Sequence, residues 1–515
     1  MTGSERAQLE ASLARTAVLE RQVEALLTGL AEHRTLLEDA RRHRLGQDKE
    51  LAAVRAQRDG FAAEVEALKA RILVQAKNSS NSSTPPSADP VAAQRRYPVK
   101  PKSCLKPGGQ PGHPGASATF TDDPDEVHEH RPTRCPSGHA LPDELEGTTG
   151  EARQVIDVVK RRTVTEHRAL DVTCPTCSAT ARGTFPPQVS GRVSYGPGVK
   201  RAALLASCGG QLPARATRAL VDGVYGVKVS TGTMDLWRTG LAQSLTGFDT
   251  LLVEALKASP VLGVDETPIR VTGFTNAHIH TAQSPLLTRF HLAGRGRVDI
   301  EAGGVLPGYT GTLTHDCLSS YWKVVAGAHQ VCWAHLVREL TFFHQAFTPH
   351  DNGAAHPWPA FEQLADLARC AIHDRNVAHD AGADPPGSAA VKKAFGAALG
   401  PAIEHLTAAP GGGSTLKAAL VLLRRLRRLH ADLWGFLDDF GVPPTNNGSE
   451  QALRTWKVKQ RRSGTFRSED AARAWLLIGS YLDTARKHGH TAEAALDAAL
   501  AGRPFVPTAT ALVAA

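Results

Sequence analysis

The sequence contains no long apolar run and has few cysteine, methionine and aromatic residues. A transmembrane helix needs roughly 20 consecutive apolar residues, so we do not expect a membrane-spanning protein. The first residues, MTGSERAQLEASLAR, lack the apolar segment of a secretory signal, so secretion is not expected either. The 8 cysteines are irregularly spread over 515 residues. This spacing predicts a cytoplasmic protein with reduced thiols at metal sites or in the core, not a disulfide framework.

The length and the charge suggest several domains and an anionic partner. At roughly 150 residues per domain, the chain would form about three or four units. The net charge is +8, from 59 basic and 51 acidic residues. Basic residues cluster at 424–428 and again at 454–467. Such clusters suit DNA, because each neutralised phosphate releases condensed counterions, although a solvated helix face has the same composition.

The N-terminal region, residues 1–76, is predicted to be a helical coiled-coil region. Two groups of apolar residues recur at intervals of 4, 3 and 4 positions, which makes a seam that one helix cannot bury alone. Between them the pattern lapses around Arg41 to Asp48, so a break, an antiparallel hairpin and a continuous coiled coil are all compatible with it. The two groups are Leu19, Val23, Leu26 and Leu30, and Phe61, Val65, Leu68 and Ile72.

Two segments have the composition of poorly ordered chain. Residues 77–118 are rich in Ser, Asn, Pro and Gly and have no apolar periodicity. They cannot bury enough apolar surface to offset their ordering entropy, so we predict a flexible linker. Residues 491–515 are predicted to form a C-terminal tail.

Residues 119–188 contain two cysteine turns and are predicted to form a small zinc-ribbon-like module. Cys174-Pro-Thr-Cys177 has the spacing of a zinc knuckle, and Cys135-Pro-Ser-Gly-His139 precedes it. A site with ligands Cys135, His139, Cys174 and Cys177 is chemically sound for structural Zn²⁺. The alternative is a degraded site that leaves three separate thiols.

Residues 189–254 are predicted to be a helical, DNA-binding region. The stretch LPARATRALVDGVYGVKVSTGTMDLWRTGL reads as helix, turn and helix, with Ser230 or Thr231 as the N-cap of the second helix. A helix-turn-helix can enter a major groove, but many buried helix pairs have the same pattern. Both interpretations therefore stand at this point.

From residue 255 the pattern changes to that of an α/β domain. Three strands, a helix, a strand, a helix and a strand make a mixed sheet, which we place in residues 255–346 and 441–490. Residues 347–440 are alanine-rich and predict a helical insertion. The predicted strands are Val261 to Val264, Ala277 to Ala282, Thr288 to Leu292, Gly311 to His315 and His329 to Trp333.

Three acidic residues stand where a metal site is expected. Asp265 and Asp316 each end a predicted strand, where ligands collect in α/β sheets. Two such carboxylates would repel each other unless a divalent cation lay between them, and hard oxygen ligands suit Mg²⁺. Glu450 follows a turn at the start of a helix, where the helix dipole favours a carboxylate. By itself this trio is a weak signal, because many proteins of this size contain one.

Several ordered motifs together resemble the IS66 family of insertion-sequence transposases. The resemblance covers roughly residues 70–490 and implies a DDE enzyme with a ribonuclease-H-like domain interrupted by an insertion. It assigns Asp265, Asp316 and Glu450 as the catalytic acids, which hold two Mg²⁺ ions, with Mn²⁺ as a substitute. The motifs are KNSSNSSTPPSAD, KPGGQPGHPG, GVDETP, HDCLSSYW, CWAHLVREL, NNGSEQALRTWKVKQRRSGTFRSEDAARAW and YLDTARKHG.

The resemblance also bears on the neighbouring residues. At the first cysteine turn the family pattern resembles Cys-Pro-x-Cys, and here Gly138 stands at the second cysteine position. Cys332 and His335 are interpreted as packing residues, and Glu266 is left out because it would point away from Asp265 on an extended strand. Basic residues that follow Glu450 are predicted to contact DNA phosphates. They are Lys457, Lys459, Arg461, Arg462 and Arg467.

The resemblance therefore predicts a transposase that binds the ends of its element and a target DNA in the bacterial nucleoid. We expect self-association through the N-terminal helices, and the element family implies small accessory proteins as further partners. Two other functions remain compatible with the residues. One is a zinc-containing DNA-binding regulator without catalysis, and the other is a ribonuclease-H-like nuclease or resolvase.

Overall fold

The computed structural model describes most of the chain, apart from one long segment at residues 77–119 and several shorter ones. The linker predicted at 77–118 lies outside the described residues. Among the helices that are described, none is both long enough and apolar enough to cross a bilayer. The described residues are 3–76, 120–146, 148, 151–158, 161–187, 189, 191–324, 326–347, 359–408 and 414–506.

The chain divides into two compact units. The sheet unit comprises Asp89–Leu336, Ala371–Ser388 and Asp432–Ala515, and it contains a large hydrophobic core. All three predicted catalytic acids belong to the sheet unit. The helical unit comprises Met1–Ala88, Val337–Cys370 and Ala389–Ala431.

The N-terminal region is one uninterrupted helix, α1 (Gly3–Ala76). It remains helical through residues 41–48, so the break and the hairpin are both wrong for this chain. Leu19 and Phe61 begin the two apolar groups and are 42 positions apart. This separation is a whole number of heptads, so both groups fall in the same register.

The cysteine region contains little regular structure. Strands β1 (Asp171–Thr173) and β2 (Thr180–Arg182) form an antiparallel hairpin around the second cysteine turn. Arg182 donates from Nε to Asp171 Oδ1 over 2.6 Å across this hairpin. A single antiparallel bridge between Arg134 and Ala140 closes the first turn in a similar way.

Four α-helices lie between the cysteine region and the sheet and contain the predicted helix-turn-helix shape. Gly226, with a φ of 63°, ends α3, and the Ser230 hydroxyl caps α4 by accepting the N–H of Thr233 over 3.0 Å. Val221 and Met234 are buried in a small core between the two helices. The helices are α2 (Pro197–Leu204), α3 (Ala214–Tyr225), α4 (Thr231–Ser244) and α5 (Thr246–Lys257).

The five predicted strands form one mixed sheet, in the order β5-β4-β3-β6-β7. Strand β4 runs antiparallel to β3 and β5, whereas β3, β6 and β7 are parallel. A short helix, α6 (Arg297–Glu301), lies between β5 and β6. The strands are β3 (Val261–Pro268), β4 (His278–Gln283), β5 (Thr288–Ala293), β6 (Thr312–His315) and β7 (Ala328–Val331).

Two C-terminal helices, α11 (Asn447–Ser463) and α12 (Glu469–Lys487), pack on the sheet. The edge strand β5 would leave backbone groups unpaired, but α12 supplies hydroxyls to them. Ser480 Oγ accepts the N–H of Phe290 over 2.8 Å, and Thr484 Oγ1 bonds to both backbone groups of Thr288 at 3.2 Å. These bonds fix α12 along the edge of the sheet.

Helices occupy the region of the predicted insertion and part of the predicted tail. The tail boundary at 491 is wrong, because Ala495, Leu496 and Ala499 are buried and Tyr481 donates to the Ala495 carbonyl over 2.8 Å. The insertion also needs correction, since residues 371–388 and 432–440 group with the sheet unit. These helices are α7 (Trp333–Phe347), α8 (Pro359–Asp380), α9 (Ala389–Ala408), α10 (Ser414–Arg428) and α13 (Ala492–Leu500).

Candidate active site

Asp265 lies in β3, and Asp316 directly follows β6, the parallel neighbour of β3. The last paired residues of β3 and β6 are Gly263 and Thr314. Asp265 and Asp316 each lie two positions beyond this pair. Because side chains alternate along strands that are roughly 4.8 Å apart, the equal offset directs both carboxylates to the same face of the sheet.

The electrostatics of Asp265 show that this face holds excess negative charge. Burial raises the pKa of Asp265 well above its ordinary value, and the charges of Glu266, Asp316 and Glu450 raise it further. One hydrogen bond, donated by the Glu266 N–H to Asp265 Oδ1 over 2.9 Å, acts in the opposite direction. A cluster of this kind is relieved by a proton or by a cation.

Asp316 experiences the same environment from the neighbouring strand. Burial and the charge of Glu266 raise its pKa, whereas His335 and Arg295 lower it. The Leu318 N–H donates to Asp316 Oδ1 over 2.8 Å and fixes the carboxylate at the end of β6. Asp316 is therefore held in place by backbone and remains close to charges of both signs.

Glu450 reaches this site because the start of α11 is bonded to β3. Asn446, the N-cap residue of α11, is buried, and its side-chain amide donates to the Val264 carbonyl over 2.6 Å. Ser449 Oγ in turn donates to Asn446 Oδ1 over 2.7 Å. Glu450 lies in the first turn of α11, one turn after Asn446. The contact to β3 thus places Glu450 near Asp265, at a helix end that favours negative charge.

Gly263 makes this close approach possible. A Cβ atom at position 263 would lie 2.6 Å from Ser449 Oγ and 2.8 Å from Asn446 Oδ1. Both distances are too short for van der Waals contact, and both atoms belong to the hydrogen-bonded start of α11. A larger residue at position 263 must therefore shift the buried Ser449 and Asn446 side chains, whose hydrogen bonds hold the start of α11 against β3.

His335 and Cys332 also contribute to this site. His335 Nε2 lies 3.5 Å from Glu450 Oε1, and its charge also acts on Asp316. Cys332, His335 and Glu450 place one donor atom each within 4.8 Å of the others, and no other such group of three occurs among the described residues. The three acids are consequently spaced more widely than this. Cys332 is fully buried, and burial is the main reason that its pKa rises to about 11.

Glu266 is closer to the site than the alternation of side chains predicted. On β4 it pairs with His280, whereas Asp265 pairs with Thr281, so the two side chains do leave opposite faces of the strand. Glu266 is 5% exposed, accepts a hydrogen bond from the Tyr321 hydroxyl over 2.9 Å and lies 3.0 Å from Arg295 Nη2. Even so, its charge raises the pKa of both aspartates. The prediction considered only the direction of this side chain and missed the effect of its charge.

The predicted phosphate contacts on and after α11 separate into two groups. Arg461, Arg462 and Arg467 are exposed and Lys457 is half-buried. Lys459 is 7% exposed, with its ammonium 4.0 Å from the centre of the Trp475 ring. Burial, together with the charge of Arg238, lowers the pKa of Lys459 to about 8. The predicted phosphate contact by Lys459 is therefore wrong for this conformation, because its ammonium is enclosed by aromatic rings.

The two cysteine turns are each closed but are not brought together. In the first, Cys135 Sγ lies 3.4 Å from His139 Nδ1, and Gly138 adopts a φ of 86°. In the second, Cys174 and Cys177 are hydrogen-bonded to each other, which lowers the pKa of Cys174. The four predicted ligands do not form a group around one common point. Each turn therefore brings two of the predicted ligands close together. The binding of all four to one zinc ion stays a prediction.

Sequence reasoning missed Asn446, Gly263 and His335, and for different reasons. Asn446 and Gly263 act through shape and backbone bonding, which no residue pattern records. His335 did have a signal, because Cys332 and His335 are three positions apart at a strand-to-helix junction and so share one face. That signal was interpreted as packing.

Comparison with known proteins gives a family match. The family model described as Transposase IS66 family matches residues 192–474, which is more than half of the chain. The matched range contains Asp265, Asp316, His335 and Glu450, and it begins after the two cysteine turns. A search of the curated proteins gives no match.

Proposed function

The chain belongs to the IS66 family of transposases, and from this membership we propose that it cuts and joins DNA by two-metal phosphoryl transfer. Asp265, Asp316 and Glu450 are the proposed metal ligands. The observation that carries the proposal is geometric: Asp265 and Asp316 each lie two positions beyond the last pair of β3 and β6, and the Asn446 amide bonds the start of the helix that carries Glu450 to β3. Three carboxylates gathered in a partly buried place are stabilised by divalent cations and not by one another.

The order of strands supports a ribonuclease-H-like catalytic domain. Three antiparallel strands in succession are followed by two parallel strands on the side of β3. This arrangement brings the ends of β3 and β6 together in the middle of the sheet. One acid in β3, one directly after β6 and a third on a later helix fit the layout that the resemblance implied.

The chemistry assigned to the site needs no covalent bond between protein and DNA. Two divalent cations bound there would generate the nucleophile from water or a DNA 3′-hydroxyl and would stabilise the leaving oxygen. Oxygen ligands suit Mg²⁺ or Mn²⁺. Asp265 and Asp316 would bind the metal ions from the side of the sheet, and Glu450 would bind them from α11. His335 positions Glu450 and offsets part of the negative charge.

One face of α11 supports DNA binding next to the acids. At 100° per residue, Arg454, Lys457 and Arg461 lie within about 40° of Glu450 around the helix, whereas Lys459 lies on the opposite side. The observed burial of Lys459 agrees with this periodicity. We propose that these three cations hold successive phosphates of the strand whose bond is cut. Arg462 and Arg467 would contact DNA farther from the reacting bond.

We further propose that Cys135, His139, Cys174 and Cys177 bind structural Zn²⁺. A Cys₃His donor set is suited to tetrahedral zinc, and each pair of ligands is already close. The purified chain should then contain about one zinc ion, and Cys174→Ser should remove it. Cys370→Ser is the control, because Cys370 is exposed on α8. Unchanged zinc content in Cys174→Ser would rule this site out.

The proposed partners follow from the same function. They are the ends of the element, a target DNA in the nucleoid, and a second copy of this chain joined through α1. Small accessory proteins of the element are further proposed partners, on the resemblance alone.

A cleavage assay tests the catalytic proposal. Full-length protein is incubated with labelled element ends and Mg²⁺, and wild type is compared with Asp265→Asn. We expect cleavage that needs the metal and that the variant loses. Asp384→Asn, at an exposed position between α8 and α9, is the matched control and should cut normally. Equal cutting by wild type and Asp265→Asn would overturn the assignment.

A further inference from the structure

The start of α7 is bonded to the segment that leads into α11, next to the proposed magnesium site. Trp333 donates its backbone N–H to the Pro444 carbonyl over 3.0 Å, and Asn446 donates its backbone N–H to Cys332 Sγ over 3.1 Å. Cys332 directly follows β7, and its own N–H donates to the His315 carbonyl over 2.9 Å. These bonds fix the sulfur of Cys332 at the place where two helices begin.

Two further side chains bring a donor atom to the same place. His335 lies three positions after Cys332 and so shares its face of α7, and Glu450 lies in the first turn of α11. His335 Nε2 is 3.5 Å from Glu450 Oε1, and one donor atom of each of the three residues lies within 4.8 Å of the others. The side chains of His335 and Glu450 are 16% and 26% exposed, so an ion in solution can reach the group.

We propose that Cys332, His335 and Glu450 form a second metal site, which binds Zn²⁺ and thereby inhibits DNA cleavage. The binding stands on the three donors alone. The inhibition rests on the proposed function, because Glu450 is also a proposed ligand of the catalytic Mg²⁺ ions.

The spacing of the donors suits a tetrahedral zinc ion. With bonds of roughly 2.0–2.2 Å to nitrogen and oxygen, such an ion holds these two donors about 3.4 Å apart. The 3.5 Å between His335 Nε2 and Glu450 Oε1 agrees with this value. A zinc–sulfur bond of roughly 2.3 Å places the sulfur about 3.6 Å from each of them. The ion therefore needs only to draw His335 and Glu450 toward a sulfur that backbone bonds already hold.

The surroundings of the sulfur favour a bound thiolate. Besides Asn446, the backbone N–H groups of Ala334 and His335 also donate to Cys332 Sγ, and such bonds stabilise negative charge on sulfur. In the metal-free protein, burial raises the pKa of Cys332 to about 11, so the thiol keeps its proton. Zinc would displace this proton to solvent, because a cysteine binds metal as the thiolate.

The two kinds of metal ion are separated by the chemistry of their ligands. A thiolate and an imidazole suit Zn²⁺, whereas Mg²⁺ takes hard oxygen ligands. The two sites therefore share only Glu450. While Zn²⁺ held its carboxylate against Cys332 and His335, Glu450 could not complete the magnesium site. Zinc would in this way keep the chain from cutting DNA.

Cobalt binding to the full-length chain tests the site without DNA or magnesium. Co²⁺ occupies zinc sites, and a bound thiolate gives a sulfur-to-cobalt charge-transfer absorption. We expect Cys332→Ser to lose part of this absorption, whereas Cys370→Ser, at an exposed position on α8, keeps all of it. The two cysteine turns are the same in these chains, so the difference belongs to Cys332. Equal absorption in wild type and Cys332→Ser would overturn the proposed site.

A second variant keeps the sulfur in place. His335→Gln should need roughly tenfold more cobalt than wild type to reach the absorption that Cys332 contributes. His344→Gln, on the same helix but beside Glu362, should titrate like wild type. Unchanged cobalt affinity in His335→Gln would also refute the site, and this result does not depend on how well Cys332→Ser folds.

Zinc inhibition of cleavage in Mg²⁺ tests the consequence. Each chain is compared with its own rate without zinc. Wild type and Cys370→Ser should be inhibited alike, and Cys332→Ser should need at least about tenfold more zinc for half inhibition. Equal sensitivity of wild type and Cys332→Ser would overturn the inhibitory role. A wild type that fails to cut even without zinc would instead refute the proposed function, and the cobalt result would still decide whether the site exists.

Discussion

The side-chain amide of Asn446 donates a hydrogen bond to the backbone carbonyl of Val264 over 2.6 Å. Val264 immediately precedes one proposed metal ligand, Asp265, and Asn446 precedes another, Glu450, by one helical turn. A neutral bond between a helix start and a strand thus sets the separation of two acids that are 185 positions apart in the sequence. The proposed catalytic geometry depends on this contact as much as on the acids themselves.

Gly263→Ala tests that dependence without touching a charge. The new Cβ would lie 2.6 Å from Ser449 Oγ, so the buried Ser449 and Asn446 side chains must shift, and we expect the start of α11 to move with them and carry Glu450 away from Asp265. A displacement on the order of 1 Å can lower catalysis about 100-fold, and we expect a loss of at least this size in the cleavage assay. Circular dichroism should show that the fold persists. Gly247→Ala is the control, because a Cβ there meets nothing within 4 Å, and it should cut like wild type. Full activity in both Gly263→Ala and Gly247→Ala would refute the proposed role of the contact between α11 and β3.

The stability of the metal-free protein should depend on pH through Asp265. Its pKa is raised in the folded state, so the folded protein holds this proton more tightly than the unfolded chain does. The free energy of unfolding must then fall as the pH rises from about 4 through the raised pKa. Asp265→Asn removes this titration, so without metal the variant should melt at a higher temperature than wild type at pH 7.

Added Mg²⁺ should reverse the order of the two melting temperatures, so that wild type melts at a higher temperature than Asp265→Asn. The ion binds only the folded wild type and raises its melting temperature by mass action, whereas the variant has lost a ligand and should respond less. Thermal melts at pH 5 and pH 8, with EDTA or Mg²⁺, measure both effects. Asp384→Asn should behave like wild type. A variant less stable than wild type in EDTA at pH 8 would contradict the raised pKa.

His335→Gln tests the residue that the sequence interpretation assigned to packing. Its imidazole lies beside Glu450, and loss of a residue that orients a metal ligand typically lowers metal affinity or activity 10- to 100-fold. We expect cleavage to fall about tenfold at low Mg²⁺, with partial recovery at high Mg²⁺ and unchanged DNA binding. His344→Gln, on the same helix but beside Glu362, should retain activity. An equal loss in both variants would indicate damage to α7 and not a role at the site.

The strands and the two aspartates could be predicted because they depend on local patterns. Short apolar runs ending in Asp265 and Asp316 identify strand ends, and the period of two that governs strands is visible in the residues themselves. The fit of α11 against β3 is different. It depends on Gly263 being small and on where the Asn446 amide points, and both become visible only when distant segments are packed.

The N-terminal helix and the tail show the limits of periodicity in another way. The lapse at residues 41–48 suggested a break, but the register of the seam continues across it, and polar residues at a few seam positions do not end a helix. At the other end, the short alanine-rich segment of α13 lacks a strong pattern. Its burial against Tyr481 is a tertiary contact that composition does not reveal.

Lys457 and Lys459 provide a final, matched prediction, because they are two positions apart on α11 but face opposite sides of it. Lys457→Ala should weaken DNA binding and should lower the slope of log affinity against log salt by about one, as expected for one lost phosphate contact. Lys459→Ala should leave that slope unchanged. It should instead lower the free energy of unfolding by about 1 kcal/mol, because its ammonium is packed on the ring of Trp475. Salt-dependent DNA titrations and urea denaturation of both variants distinguish the two roles. If Lys459→Ala changed the salt slope and Lys457→Ala did not, the face of α11 assigned to DNA would be the wrong one.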